Sequence, residues 1–237
     1  MPKNPGNIAL LFFSRSARKE GIYKQFTSGY DSQKDTQIAK ALIQHTHQQI
    51  ADSGLPCFVY NEENQEGTSF GERFTNAFKS IFEQGFDYVI SVGNDTPALK
   101  TAHLNDAARQ LKSGTSDIVL GPAADGGTWL MGYSRDAFEG SSFLQLPWNS
   151  AGLLEAILGE TERLFSISLL ETLGDIDDAA SLRSFIRAFY VDRSLFNLVQ
   201  VLRSVISANT IFFVNLNRSY ISGCIFKIYL RRAPPLR

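Results

Sequence analysis

The sequence predicts an α/β protein: three layers, α/β/α, around a mainly parallel central sheet. Three observations carry that expectation. Apolar runs of strand length ("NIALLFF", "PCFVY", "DYVISV", "SDIVL") recur without polar alternation, as expected of strands buried on both faces. Stretches with apolar residues at helical spacing separate them, which is the βαβ order. Glycine, proline, asparagine and aspartate then gather where the strands stop, at "GNDTP" and "GPAADGG".

Taken in order, residues 8–13 form the first strand, and residues 35–54 a helix with Ile38, Ala41, Leu42 and Ile50 on one face, closed by Gly54. A short strand at 56–61 precedes a helix at 68–85, whose stripe is Phe70, Phe74, Ala77, Phe78, Ile81 and Phe82, with Gly85 at its C-terminus. A strand at 87–95, a helix at 99–114 and a strand at 116–123 repeat the alternation. Residues 119–133, "VLGPAADGGTWLMGY", break at Gly121-Pro122 and resume as a second apolar run. Beyond 134 the order loosens into a short helical turn, a helix at 150–164, a strand-like stretch with a turn at 165–178, and a helix at 178–191 with Asp178 as N-cap. We divide the chain into a domain at 1–192 and a C-terminal extension at 193–237, packed on the same domain or on a partner subunit. The extension is basic and without acidic residues; it comprises a helix at 194–207 and the strand-like runs "TIFFVNL" and "CIFKIYL".

The bulk numbers exclude several classes. The 23 Lys and Arg nearly balance the 24 Asp and Glu, so no global field gathers nucleic acid or an anionic membrane. Cys57 and Cys224 form neither a disulfide framework nor a Cys-x-x-Cys pattern. The apolar run at 8–13 is followed by "SRSARK" rather than a cleavage site, and no stretch reaches the roughly 18 apolar residues of a membrane span. The expectation is a cytoplasmic protein.

Three constellations could carry chemistry. In "SVGNDTPAL", a buried strand delivers Asn94 and Asp95 to its C-terminal tip, the ligand end of an open α/β sheet. Asp95 there suits a hard divalent cation, since Mg²⁺ takes one or two carboxylates and completes its shell with phosphate and water; equally, Asp95 could cap the helix that follows. In "GPAADGG", Gly126 and Gly127 could bring backbone N–H groups close to an anion or sugar while Asp125 faces hydroxyls or a metal; equally, the segment could be an Asp-Gly hairpin. In "LGDIDDAASL", Asp175 and Asp177 are two apart on an extended segment and could jointly face a cation, or simply precede a helix with favourable charge. His45 and His47 point about 200° apart on a helix, so they make no zinc pair and read as surface residues. "SRSARKEGIYK" places Arg15, Arg18, Lys19 and Lys24 after the first strand, where phosphates would lie, or forms a solvated basic loop.

In order and spacing, "GTSFGERFTNAFKSIFEQGFDYVISVGNDTPAL", "DIVLGPAADGGTWLMGY", "LPWNS" and "LGDIDDAASL" resemble a bacterial family of glycosyltransferase-like proteins of unassigned function. That family is related to the enzymes thought to glycosylate arsenosugar precursors and has the nucleotide-diphospho-sugar transferase (GT-A-like) architecture. The resemblance spans roughly residues 8–190. It implies Asp95 at the metal and diphosphate position, Asp177 as a second acidic ligand of Mg²⁺ or Mn²⁺, and Asp125, Gly126 and Gly127 lining the site. It also implies Trp148 and Asn149 or Ser150 near the acceptor. The family carries a glycine, then a lysine, then two residues later an arginine that meets phosphate; Gly21 and Lys24 match, but Phe26 stands at the arginine position. Phenylalanine cannot make that bidentate contact, which leaves a weaker donor, a different donor, or a substitute from Arg15 or Arg18.

The leading expectation is a metal-dependent transferase that moves a sugar from a nucleotide-diphosphate donor to a small-molecule, lipid or glycan acceptor. Asp125 and Asp95 act catalytically in this reading. Arg15, Lys24, Asn94, Gly126, Gly127, Trp148, Asn149 and Ser150 bind substrate, with assembly as a homo-oligomer left open. One alternative is a nucleotidyltransferase, disfavoured because only Gly21 supplies glycine after the first strand. The other is a binding module that has lost catalysis.

Overall fold

The computed structural model describes residues 7–29, 31–188 and 195–207. Six strands form one sheet: β1 (Ile8–Phe13), β2 (Cys57–Tyr60), β3 (Tyr88–Val92), β4 (Ile118–Pro122), β5 (Thr128–Ser134) and β6 (Ile167–Leu169), in the order β2-β1-β3-β5-β4-β6. β1 lies parallel to β2 and β3, while β5 is antiparallel to both β3 and β4, and β6 is parallel to β4. All strands but β5 therefore point the same way. The predicted α/β class and mainly parallel sheet are what the structure has.

The helices are α1 (Ala17–Lys24), α2 (Ser32–Ser53), α3 (Phe70–Glu83), α4 (Thr101–Lys112), α5 (Arg135–Gly140), α6 (Leu153–Thr161), α7 (Ala179–Ala188) and α8 (Phe196–Ser207). Alternate residues of β1 enter opposite cores. Ala9 and Leu11 pack with Phe74, Phe78, Ile81 and Phe82 of α3 on one face, while Leu10 and Phe12 pack with Ile50 of α2 and Leu104 and Leu111 of α4 on the other. With α3 on one side and α2 and α4 on the other, the sheet is the middle of three layers. The phenylalanine stripe of α3 is the predicted one, and its start is fixed by a Ser69–Glu72 capping box.

A third apolar cluster lies outside the sheet, where Phe26, Ile38, Leu42, Ile176 and Leu182 meet Leu195, Leu198, Leu202 and Val205. Thus α8, the first part of the expected extension, packs against α2. The runs "TIFFVNL" and "CIFKIYL", with Cys224, lie outside the described residues.

Several sequence expectations are corrected. Residues 17–24 are not a solvated loop but helix α1, so tightly packed on α2 that a Cβ on Gly21 would lie 2.7 Å from the Asp35 carbonyl carbon. The signal was present in the i,i+4 pair Glu20 and Lys24, which share the buried face of one helical turn. His45 and His47 are not surface residues: the His45 ring bonds the Pro97 carbonyl oxygen at 2.9 Å, and the His47 ring centroid sits 4.6 Å from that of Phe12. Burial pushes the pKa of both imidazoles down.

Candidate functional site

The site forms at the C-terminal edge of the sheet. Because β2 and β3 flank β1 with their connecting helices on opposite faces, a crevice opens between the C-terminal ends of β1 and β3, the usual ligand position in open α/β sheets. Past β1 runs α1, past β3 the segment "GNDTP", past β4 the turn "AADGG", and past β6 the segment "LGDIDD". Chain order thus delivers four separate segments to one edge.

Lys24 joins them. Its buried ammonium lies 2.8 Å from Asp177 Oδ1, 3.2 Å from Asp95 Oδ2 and 3.5 Å from Glu20 Oε1, and it donates to the Ile176 carbonyl oxygen at 2.9 Å. Burial alone lowers a lysine pKa; here the carboxylates of Asp95, Glu20 and Asp177 more than reverse it, so the net direction is upward and the charge is retained. Glu20 in turn receives Arg15 Nη1 at 3.1 Å, and the Arg15 guanidinium lies 3.8 Å above the Tyr23 ring. Arg15, Lys19, Ile22 and Tyr23 line an open depression of about 410 Å³ beside the cluster.

Asp95 makes no cap for α4, which begins only at Thr101; its side chain turns to Lys24 and its carbonyl accepts the Ile176 amide at 2.8 Å. Asp175 and Asp177 do not share one partner. Asp177 turns to Lys24, whereas Asp175 accepts the Thr96 hydroxyl. Asp175 is pushed up to about 7, first by burial, then by the nearby charges of Asp95, Asp177 and Asp125, with the Thr96 hydrogen bond opposing. Asp178, next to Asp177, caps α7 as expected, accepting the amides of Ala180 and Ser181 at 2.9 and 2.7 Å.

The turn after β4 takes the hairpin reading that the sequence allowed. β4 and β5 are antiparallel neighbours, so "GPAADGG" is a hairpin turn, and the amides of both its glycines are already used. Gly126 N–H donates to the Ala123 carbonyl oxygen at 3.1 Å, and Gly127 N–H to Asp125 Oδ1 at 2.9 Å. Gly126 has φ +90°, and a Cβ there would lie 2.0 Å from the Ala151 carbonyl oxygen. Gly126 serves a close approach of chain to chain, the Gly127 amide is held by Asp125, and the Asp125 residue is exposed. That approach brings Asn149 and Ser150 beside the hairpin, since the Leu154 amide bonds the Gly126 carbonyl oxygen. Asn149 holds φ +61°, and the Ser150 hydroxyl accepts the Gly152 amide.

Trp148, expected near an acceptor, is committed elsewhere. Its ring packs on Phe70, Phe74 and Phe143, and its Nε1 is buried without a hydrogen-bond partner. Asn94 sits buried at the tip of β3 with Nδ2 likewise unpartnered. Phe26 belongs to the third apolar cluster, so nothing on that side chain reaches toward phosphate. Sequence reading missed Glu20 and Thr96, of which the first is a further counter-charge for Lys24 and the second donates its hydroxyl to Asp175.

Of a hard divalent cation's oxygen ligands, the chain would supply two. Asp95 and Asp177 offer oxygen ligands, and a stand-in cation, the Lys24 ammonium, already touches both. Among the described residues no group of three or more His, Cys, Asp or Glu side chains is arranged to hold a metal ion, so the remaining ligands would come from phosphate and water. Among the same residues, no helix is long and apolar enough to cross a membrane.

Among solved structures, the chain is similar to a protein from Desulfovibrio desulfuricans G20 provisionally named a nucleotide-diphospho-sugar transferase. The two are 18% identical, the match covers 85% of this chain and 97% of that one, and the TM-score is 0.71. That likeness shows the fold. Weaker likenesses, which carry no argument, are to Rv0371c in complex with manganese from Mycobacterium tuberculosis H37Rv (14% identity, 77% and 99% covered, TM-score 0.45) and to a cytidylyltransferase from Leptospira borgpetersenii serovar Hardjo-bovis (11%, 87% and 99%, 0.42). No curated protein matches the chain. Residues 32–150 match the bacterial family described as "Uncharacterized protein conserved in bacteria (DUF2064)". With half of its length inside that family, and with the nucleotide-diphospho-sugar transferase-like fold around it, the chain belongs to the DUF2064 family.

Proposed function

We propose that the protein transfers a sugar from a nucleotide-diphosphate donor to a hydroxyl acceptor, with Mg²⁺ or Mn²⁺ held by Asp95 and Asp177. The observation that supports this reading is the meeting of Asp95 and Asp177 on Lys24 at the ligand edge of the sheet, with Asp175 beside them on Thr96. When bound, the cation supplies charge neutralisation for the diphosphate leaving group. The chain's own residues do the rest. Lys24 is the buried positive charge at the proposed cation position, and Arg15 borders the depression beside it. Asp125, exposed at the hairpin tip, accepts the acceptor's hydroxyl proton as its oxygen bonds the anomeric carbon and the bond from that carbon to the diphosphate breaks. Asn149 and Ser150, beside the hairpin, orient the acceptor.

A nucleotidyltransferase is disfavoured by α1: the lone glycine after β1 is buried against α2 and leaves no glycine-rich loop to cradle a triphosphate. The reading as a binding module without turnover is favoured by one observation, the burial of Phe26 where the resemblance expects an arginine.

Thermal-shift titration against nucleoside triphosphates, diphosphates and nucleotide sugars, with and without Mn²⁺, separates the three. The transferase reading expects the largest stabilisation from a nucleotide sugar with Mn²⁺, followed by release of nucleoside diphosphate once an acceptor is supplied. A preference for triphosphates would replace it with the second reading, and no response to any nucleotide with the third.

A further inference from the structure

We propose that Lys24 is a built-in occupant of the cation position, so that a divalent cation binds Asp95 and Asp177 weakly alone and tightly only together with an anion that receives the displaced ammonium. The inference rests on the metal assignment above and adds an order to it.

An ammonium has three N–H donors, and those of Lys24 are matched by Asp177 at 2.8 Å, Asp95 at 3.2 Å and the Ile176 carbonyl oxygen at 2.9 Å. No donor is left for a phosphate while these three acceptors hold them. A dication on the same two carboxylates would sit against a like charge, because the ammonium that touches both belongs to a side chain only 6% exposed and held in place by three acceptors. Cation and ammonium therefore compete for Asp95 and Asp177.

What allows an exchange is the construction of the lysine. Its stem is flexible and its donors rotate, so the head can change acceptors while its backbone stays fixed in α1. Glu20, one helical turn earlier and 3.5 Å from the ammonium, does not bind the cation in this scheme. It remains a counter-charge when the other two carboxylates are taken, and the ammonium is never stranded. The receiving anion is a pyrophosphate-bearing ligand, which brings charge to both the cation and Lys24. Of the basic residues on this segment, Lys24 is the one that touches both Asp95 and Asp177, so it is the one that a cation entering with such a ligand displaces.

The test is calorimetric titration of Mn²⁺ alone into the wild-type protein, Lys24→Met and Lys24→Arg. Lys24→Met is expected to bind Mn²⁺ roughly tenfold tighter than wild type, and Lys24→Arg to bind as weakly as wild type. A lysine that only anchors phosphate would leave Mn²⁺ affinity the same in all three, and that result overturns the exchange while sparing the metal assignment. Should no protein bind Mn²⁺, with or without nucleotide sugars, both fall. The wild-type protein gives a second reading that needs no variant, through ¹⁵N-edited NMR of its lysine ammonium groups. Mg²⁺ with inorganic pyrophosphate should shift the Lys24 Nζ signal, and Mg²⁺ alone at the same concentration should leave it in place. A signal that stays fixed under both, or moves under Mg²⁺ alone, contradicts the proposal.

Discussion

Lys24 and Asp177 are 153 residues apart in sequence, and their side chains meet at 2.8 Å. Their contact ties the helix after β1 to the segment after β6, and it does so asymmetrically, because the lysine side chain is 6% exposed and the aspartate 57%. Truncating the buried partner should therefore cost more. Lys24→Met is expected to lose about 2–3 kcal/mol, as Glu20 keeps only Arg15 and two acids lose their counter-charge, lowering the melting temperature by roughly 5–10 °C. Asp177→Asn should lose less than about 1 kcal/mol, because an exposed pair is screened by water. Melting curves on both variants check the contrast.

The pH dependence of stability should carry the mark of Asp175. Its folded-state pKa is raised from an ordinary value of 3.8 to about 7. A carboxyl of this kind contributes stability that is fully present below the unfolded value and is lost as pH rises through the folded one. The wild-type protein should thus lose stability relative to Asp175→Asn between about pH 4 and pH 7, with a constant difference above. Chemical denaturation of the pair across that range measures it, and a flat difference would contradict the burial of this carboxyl among neighbouring negative charges.

Histidines 45 and 47 act in the other direction. Burial depresses both from the ordinary 6.5, so their contribution is present above the unfolded value and is lost as pH falls toward the folded ones. Replacing His47 with leucine, which keeps an apolar contact to Phe12, should reduce the loss of stability below about pH 6.5. Denaturation midpoints at about pH 7.5 and about pH 5.5 in the two proteins report it.

Gly126→Ala should be strongly destabilising, because φ is +90° and the new Cβ would lie 2.0 Å from the Ala151 carbonyl oxygen. A loss of about 3 kcal/mol or more is expected. Gly174→Ala, with nothing within 4 Å of its would-be Cβ, should stay within about 0.5 kcal/mol of wild type. The comparison is made by thermal melting, and equal effects would refute the hairpin packing.

The fold was largely legible because its signals are local. The strand at 8–13, the phenylalanine stripe of α3 and the Asp178 cap each depend on residues within a turn or two. The site was legible in part. Asp95, Asp177 and Lys24 could be named from strand ends and resemblance, but their mutual contact spans 71 and 153 residues and leaves no periodicity to read. Trp148 and the glycines stayed ambiguous because their demands are tertiary: an indole suits an aromatic core as well as a sugar, and Asp-Gly-Gly serves a hairpin as well as an anion. Helix α1 was hidden by its composition, since Arg18, Lys19 and Tyr23 face outward and only Glu20, Gly21 and Lys24 are buried.

The central claim is that Asp95 and Asp177 hold a cation that in turn holds a diphosphate. Crystals grown with MnCl₂ and a nucleotide sugar, measured at a wavelength where manganese scatters anomalously, test it most directly. The account predicts one strong peak between the two carboxylates, bridged to the diphosphate, with Lys24 Nζ moved onto a phosphate oxygen. A nucleotide sugar bound with no peak there, or with Lys24 still on Asp95 and Asp177, would contradict it.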